Sequence, residues 1–256
     1  MTEAVDDDPS LAASLGAPRA AWLWQLPRHP RALVDHLLRE RVEDVFLGVP
    51  WSGPEPGCAP TLAALKGAGI RVHALGGEPQ WAQDPLLARE WAERLGRSRA
   101  FDGVHLDVEP WASPAWPGNE ATLLAGLGDA VGHVRDATGD REVEVDLPAW
   151  LAVERPEAFL RLAADADAVT VLAYRDRATA ILAFSSLARQ VLAEGRRSYR
   201  IGVDTTCSRD PGSSFFDDGR AVLQRESGSV ERALGEDVWF RGMAVHDVAG
   251  WQALRP

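Results

Sequence analysis

Short runs of apolar residues, four to six long, alternate along the chain with longer stretches in which apolar residues recur every three or four positions. The short runs, at 21–24, 45–49, 70–75, 104–108, 143–146, 169–174, 199–204 and 243–246, read as strands. The longer ones, clearest at 31–41, 86–95, 120–136, 178–194 and 220–234, read as amphipathic helices. Eight strands interleaved with seven helices predict a single closed (β/α)8 barrel spanning residues 19–256. A doubly wound open sheet is the alternative. It would place a glycine-rich phosphate turn after the first strand, where Trp24-Gln25-Leu26-Pro27 stands instead. Residues 1–18 are acidic and small without an apolar period, and are predicted to form a mobile tail.

The length of 256 residues suits one such barrel, and no internal repeat or low-complexity tract divides it. A formal net charge of −11 at pH 7, with arginines scattered among acids, argues against nucleic acid and membrane surfaces as partners and leaves a small molecule or oligosaccharide. The N-terminus lacks the basic and apolar regions of a signal peptide, so a cytoplasmic location is expected. Cys58 and Cys207 show no CxxC spacing and are expected to be free thiols.

In a barrel of this kind, chemistry sits at the C-terminal ends of the strands. Polar residues collect there: Asp107 and Glu109 after strand 4, Asp146 on strand 5, Tyr174 and Asp176 after strand 6, Asp204 on strand 7 and His246 on strand 8. Strand 4 is the most informative. Side chains alternate with period two, so His105, Asp107 and Glu109 share a face while Val104, Leu106 and Val108 share the other. The apolar face suits the helix layer, which sends the three ionisable groups into the barrel. Two carboxyls at i, i+2, about 6.6–6.8 Å apart at Cα, must then share a confined space, and repulsion with burial would keep one of them protonated. A protonated acid beside an ionised partner is what general acid catalysis requires.

The run Phe101-Asp102-Gly103-Val104-His105-Leu106-Asp107-Val108-Glu109 resembles the DGxDxDxE strand-4 signature of family 18 glycoside hydrolases, the chitinase-like barrels. Leu172-Ala173-Tyr174-Arg175-Asp176 resembles that family's MxYD segment with one extra residue between Tyr and Asp. The resemblance implies Glu109 as proton donor to the glycosidic oxygen. It implies Asp107 as the group that orients a substrate acetamido acting as internal nucleophile, and Tyr174 as a hydrogen-bond partner of that acetamido. His105 stands where the family has Asp, and His246-Asp247 where it has a tryptophan, with Trp251 close behind.

Ten tryptophans against two tyrosines add a second theme. Trp24, Trp51, Trp111, Trp116, Trp150 and Trp251 fall at strand ends, where indoles can stack on sugar rings, whereas Trp22, Trp91 and Trp239 read as packing. Together with these, His105, Asp146, Asp176, Asp204 and His246 are the candidate substrate contacts. His105, Asp107, Glu109, Asp204 and His246 include metal-ligand types but lack HxH or HxxxH spacing, so neither a metal nor a cofactor is expected. The leading expectation is a glycosidase-like enzyme with Glu109 as general acid and Asp107 as its electrostatic partner. A cofactor-free acid/base cyclase, isomerase or lyase acting on a small metabolite keeps the same acids. An inactive carbohydrate-binding barrel is the third reading, motivated by His105.

Overall fold

The computed structural model describes residues 17, 19–96 and 100–256; the tail expected at 1–18 lies, but for Ala17, outside them. Eight parallel strands close on themselves in sequence order: β1 (Arg19–Leu23), β2 (Val42–Gly48), β3 (Arg71–Gly76), β4 (Gly103–Leu106), β5 (Glu142–Pro148), β6 (Ala168–Leu172), β7 (Ser198–Asp204) and β8 (Phe240–His246). The seam is made by β8 pairing with β1, where Arg19, Ala20 and Ala21 face Met243, Ala244 and Val245. The helices between them are α1 (Pro30–Arg39), α2 (Ala59–Gly67), α3 (Leu86–Arg94), α4 (Glu120–Thr138), α5 (Leu151–Glu154), α6 (Pro156–Asp165), α7 (Ala178–Phe184), α8 (Ser186–Glu194), α9 (Arg220–Leu234) and α10 (Val248–Ala253). The (β/α)8 expectation holds. No helix among the described residues is long and apolar enough to cross a membrane, and Cys58 and Cys207 are both free thiols.

Strand alternation divides the molecule into two apolar clusters. Residues of one parity, including Val45, Leu47, Val104, Leu106, Val108, Val143 and Val145, join the helices in a large outer core. The other parity fills the barrel with a small cluster of Ala20, Trp22, Phe46, Leu75, Leu172 and Ala244. Three departures from the sequence reading have local causes. The helix expected over 178–194 breaks at Ser185, whose buried hydroxyl donates to the Ile181 carbonyl at 2.8 Å and competes with the helix ladder. The β4 ladder ends at Leu106, so Asp107 and Glu109 lie beyond it, and Glu109 turns into the left-handed region at φ 45° ahead of Pro110. Trp251, expected at the mouth, is fully buried on α10, edge-on to His36 of α1 with ring centroids 5.3 Å apart, because α10 presents it to the outer core.

Candidate active site

The barrel interior carries ionisable groups in two tiers with opposite electrostatics. At the floor, Arg200 of β7 reaches Asp44 of β2 at 2.6 Å and lies 3.4 Å from Glu144 of β5. Asp44 also meets His73 at 3.2 Å and Arg71 at 2.7 Å, and Glu144 accepts from the Thr170 hydroxyl at 2.5 Å. Burial opposes ionisation of both acids, yet the His73 and Arg200 contacts hold Asp44 well below the usual carboxylate range, and Arg200 chiefly lowers Glu144. These carboxylates are therefore compensated, as buried charges must be.

Above the floor sits His105, wholly buried, stacked on Phe46 with ring centroids 3.6 Å apart and edge-on to Trp22 at 5.5 Å. Its Nε2 is 2.9 Å from Asp146 Oδ2 but out of alignment for a hydrogen bond. Burial lowers its pKa to about 4, against the pull of Glu144 and Asp107, so the ring is neutral near pH 7.

The upper tier has no such compensation. Asp107, beyond the end of β4, lies near Asp146 of β5, and each has a buried Oδ1 with no hydrogen-bond partner. Two carboxyls that repel each other in a desolvated site resist ionising together, which favours a proton on the pair. Desolvation raises both well above the ordinary aspartate value; Asp146 and then Glu109 add to the effect on Asp107, while Glu144 and Glu109 add to that on Asp146. Glu109 is partly buried and also raised, by desolvation, against the Trp111 indole that donates to its Oε1 at 3.3 Å and the nearby His246. Tyr174 faces all of them. Burial, then Asp107, Asp146, Glu109 and Asp204, push its phenol well above 10, so it remains an O–H donor.

On the far side of the mouth, Trp24 Nε1 donates to His246 Nε2 at 3.1 Å, and His246 Nδ1 lies 3.0 Å from Asp204 Oδ1. An indole N–H can only donate, so the ring proton sits on Nδ1 and points at Asp204. Asp204 also accepts from the Thr206 amide and hydroxyl at 3.2 and 2.9 Å. Burial resists charging of His246, but Asp204 and the surrounding carboxylates prevail and raise its pKa. A second proton on Nε2 would cost it the Trp24 bond.

The fold thus gathers Asp107, Glu109, Asp146, Tyr174, Asp204, His246 and His105 into one cluster, with Trp24 and Trp111 bonded to its members. Trp111, Trp116 and Trp150 pack edge-to-face with centroids 6.0–6.4 Å apart beside Glu109. Trp51 lies further out, 39% exposed, with the Arg94 guanidinium over its ring at 4.3 Å. Asp176 is drawn elsewhere. It lies 3.8 Å from Arg177, which itself holds Asp218 at 3.0 Å, and burial raises its pKa against the pull of Arg177.

Sequence reasoning missed three features. Trp22 is no mere packing residue: its Nε1 donates to Asp146 Oδ2 at 3.3 Å inside the barrel. The floor set of Asp44, His73, Glu144 and Arg200 was also overlooked, as was Trp81. Strand parity could have found the first two groups, since Trp22 alternates in phase with Trp24, Glu144 with Asp146 and Arg200 with Asp204. Trp81 follows β3 in a 3-10 turn (Pro79–Ala82) that no periodicity announces. Among the described residues, no group of three or more His, Cys, Asp or Glu side chains is arranged to hold a metal ion.

No protein-family model and no curated protein matches the sequence. Solved structures do match in fold. One is an endo-β-N-acetylglucosaminidase from Cordyceps militaris, at 14% identity over 96% of this chain and 87% of that one, with a TM-score of 0.60. A chitinase from Chromobacterium violaceum aligns at 13% identity over 93% and 97% of the two chains, with a TM-score of 0.52. An exo-β-1,4-mannosidase from an Opitutaceae bacterium aligns at 13% identity over 90% of this chain and 51% of that one, with a TM-score of 0.58. The chain therefore shares the barrel fold of several glycoside hydrolases.

Proposed function

We propose that this barrel is a glycoside hydrolase-like enzyme in which Glu109 is the general acid and Asp107, sharing a proton with Asp146, is its electrostatic partner. The observation that carries the reading is the uncompensated upper tier: three carboxyls crowd a poorly hydrated mouth directly above a floor whose carboxylates are neutralised by Arg200. Environments that push like groups apart in pKa supply an acid and a base from the same residue type. A raised Glu109 carries its proton to higher pH than an ordinary glutamate and can deliver it to a departing glycosidic oxygen.

The strand-4 resemblance supports a substrate-assisted version of the reaction. There, the bond from the anomeric carbon to the leaving oxygen breaks as Glu109 protonates that oxygen, and the substrate's own acetamido oxygen closes on the anomeric carbon. Asp107 would accept the acetamido N–H, and the Tyr174 phenol would donate to the acetamido oxygen. Water then opens the intermediate and returns a proton to Glu109. His105 takes no proton in this scheme; as a neutral ring stacked on Phe46, it spaces the acids from the floor.

The test is hydrolysis of β-linked N-acetylglucosaminides by the protein and by Glu109→Gln, which keeps shape but has no transferable proton. Loss of about 10²–10⁴ in kcat is expected; undiminished turnover by the variant would remove Glu109 from the role. Oligosaccharide binding by the unaltered protein without cleavage over roughly pH 4 to 8, a range spanning ordinary carboxyl and histidine pKa values, would make it a binding barrel.

A further inference from the structure

Beside the acid cluster, on the β1–β3 side of the mouth, lies a cavity of about 530 Å³, a volume typical of small-ligand sites. Four indoles line it, those of Trp24, Trp51, Trp81 and Trp91, and its ionisable lining is acidic apart from the Cys58 thiol: Glu55 and Glu78 contribute carboxylates, and no lysine, arginine or histidine takes part. It is continuous with the acid site at two places. Trp24 bonds His246, and Gly77 lies so close to Asp107 that a Cβ there would come within 2.1 Å of the Asp107 carbonyl oxygen.

Two details point to an occupant. Trp24 and Trp51 remain 40% and 39% exposed, unusual for the largest apolar side chain; Arg94 already covers a face of Trp51 at 4.3 Å, which leaves Trp24 as the indole of the exposed pair without a cation over it among the described residues. Trp81 is 2% exposed, and its Nε1 is a buried donor without a partner, a group that ordinarily finds an acceptor. Indole faces suit the C–H face of a pyranose, and the orphan N–H would meet a ring or hydroxyl oxygen once a ligand displaces the wall that now covers it. Charge narrows the class further. With Glu55 and Glu78 lining it, the cavity disfavours uronic acids and sugar phosphates. Indole quadrupoles and carboxylates together attract a cation.

We propose that this cavity binds an amino sugar whose amine is free and protonated, stacked on Trp24 and paired through its ammonium with Glu55 or Glu78. The proposal stands apart from the role given to Glu109, because binding in the cavity needs no bond cleavage.

Binding can be followed by intrinsic tryptophan fluorescence and calorimetry, with a trimer of β-1,4-linked glucosamine compared with its N-acetylated, neutral glucose and galacturonate counterparts. The glucosamine trimer should bind about tenfold or more tightly than the glucose trimer, and galacturonate should not bind. That preference should shrink severalfold in about 1 M salt, where the screening length falls to about 3 Å, and in the doubly substituted Glu55→Gln, Glu78→Gln protein. Both carboxylates are exposed, so these changes leave folding intact. Trp81→Phe should weaken all sugars alike, and Glu109→Gln should leave glucosamine affinity unaltered. Equal, salt-independent binding of the glucosamine and glucose trimers would overturn the choice of a cationic ligand. No binding of any of the four would overturn the site itself. If Glu109→Gln abolishes the glucosamine preference, the ammonium is being held by the acid cluster and the cavity assignment falls, whatever the outcome for hydrolysis.

Discussion

A single indole N–H tempers how far burial raises Glu109. Trp111 donates to Glu109 Oε1 at 3.3 Å and thereby favours the ionised carboxylate, opposing the desolvation that raises its pKa. Trp111→Phe removes the donor and keeps a ring against Trp116 and Trp150. The remaining desolvation is then opposed by His246 without the indole, so the carboxyl holds its proton to higher pH. The basic limb of the kcat–pH profile should shift upward by about one unit or less, since one such bond contributes about 0.5–1.5 kcal/mol and one unit corresponds to about 1.4 kcal/mol. A downward shift would mean that Glu109 is not the acid being titrated. The left-handed backbone of Glu109 belongs to the same picture. A non-glycine residue at φ 45° stores strain, and residues held that way concentrate where a side chain has to be aimed.

Where β3 and β4 meet, a glycine lets the acid approach. The Asp107 amide donates to the Gly76 carbonyl at 3.0 Å, extending the pairing past the end of β4, and Gly77 then passes the Asp107 carbonyl too closely for any side chain. Gly77→Ala should force Asp107 and Val108 outward. We expect a stability loss of about 1–3 kcal/mol from overpacking and a larger fractional loss of turnover, because a displaced Asp107 no longer sits beside Asp146 and Glu109. Thermal melts beside kcat measurements check this, and activity that falls only as far as the folded fraction would refute it. The Gly76-Gly77 pair stands in the sequence directly after the third apolar run, at 70–75. That the pair presses on strand 4 was not legible there, because the two segments are some thirty residues apart and only barrel closure brings them together.

Across the whole barrel, Arg200 ties β7 to β2 and β5 through Asp44 and Glu144, so one guanidinium braces the interior from three directions. Arg200→Met would leave the buried Glu144 without its cation and Asp44 with only Arg71 and His73, and should cost about 3–5 kcal/mol in denaturant unfolding. A loss below about 1 kcal/mol would show that the floor is not held electrostatically. The architecture itself was largely written in the chain. Eight apolar runs of strand length, spaced by amphipathic stretches, are compatible with few folds, and period-two alternation on strand 4 already separated His105, Asp107 and Glu109 from the valines and leucine that face the helices. What alternation cannot supply is the partner. Parity sent Asp107 and Asp146 to the barrel's inside, but their proximity, the Trp22 bond to Asp146, the Arg200 brace and the diversion of Asp176 to Arg177 depend on strand stagger and loop paths. Those are set by long-range packing. Local sequence determined which side chains enter the barrel, because side-chain direction is a property of the backbone; tertiary structure alone decided which charges meet there, because Coulomb and hydrogen-bond energies depend on distances fixed only when the sheet closes.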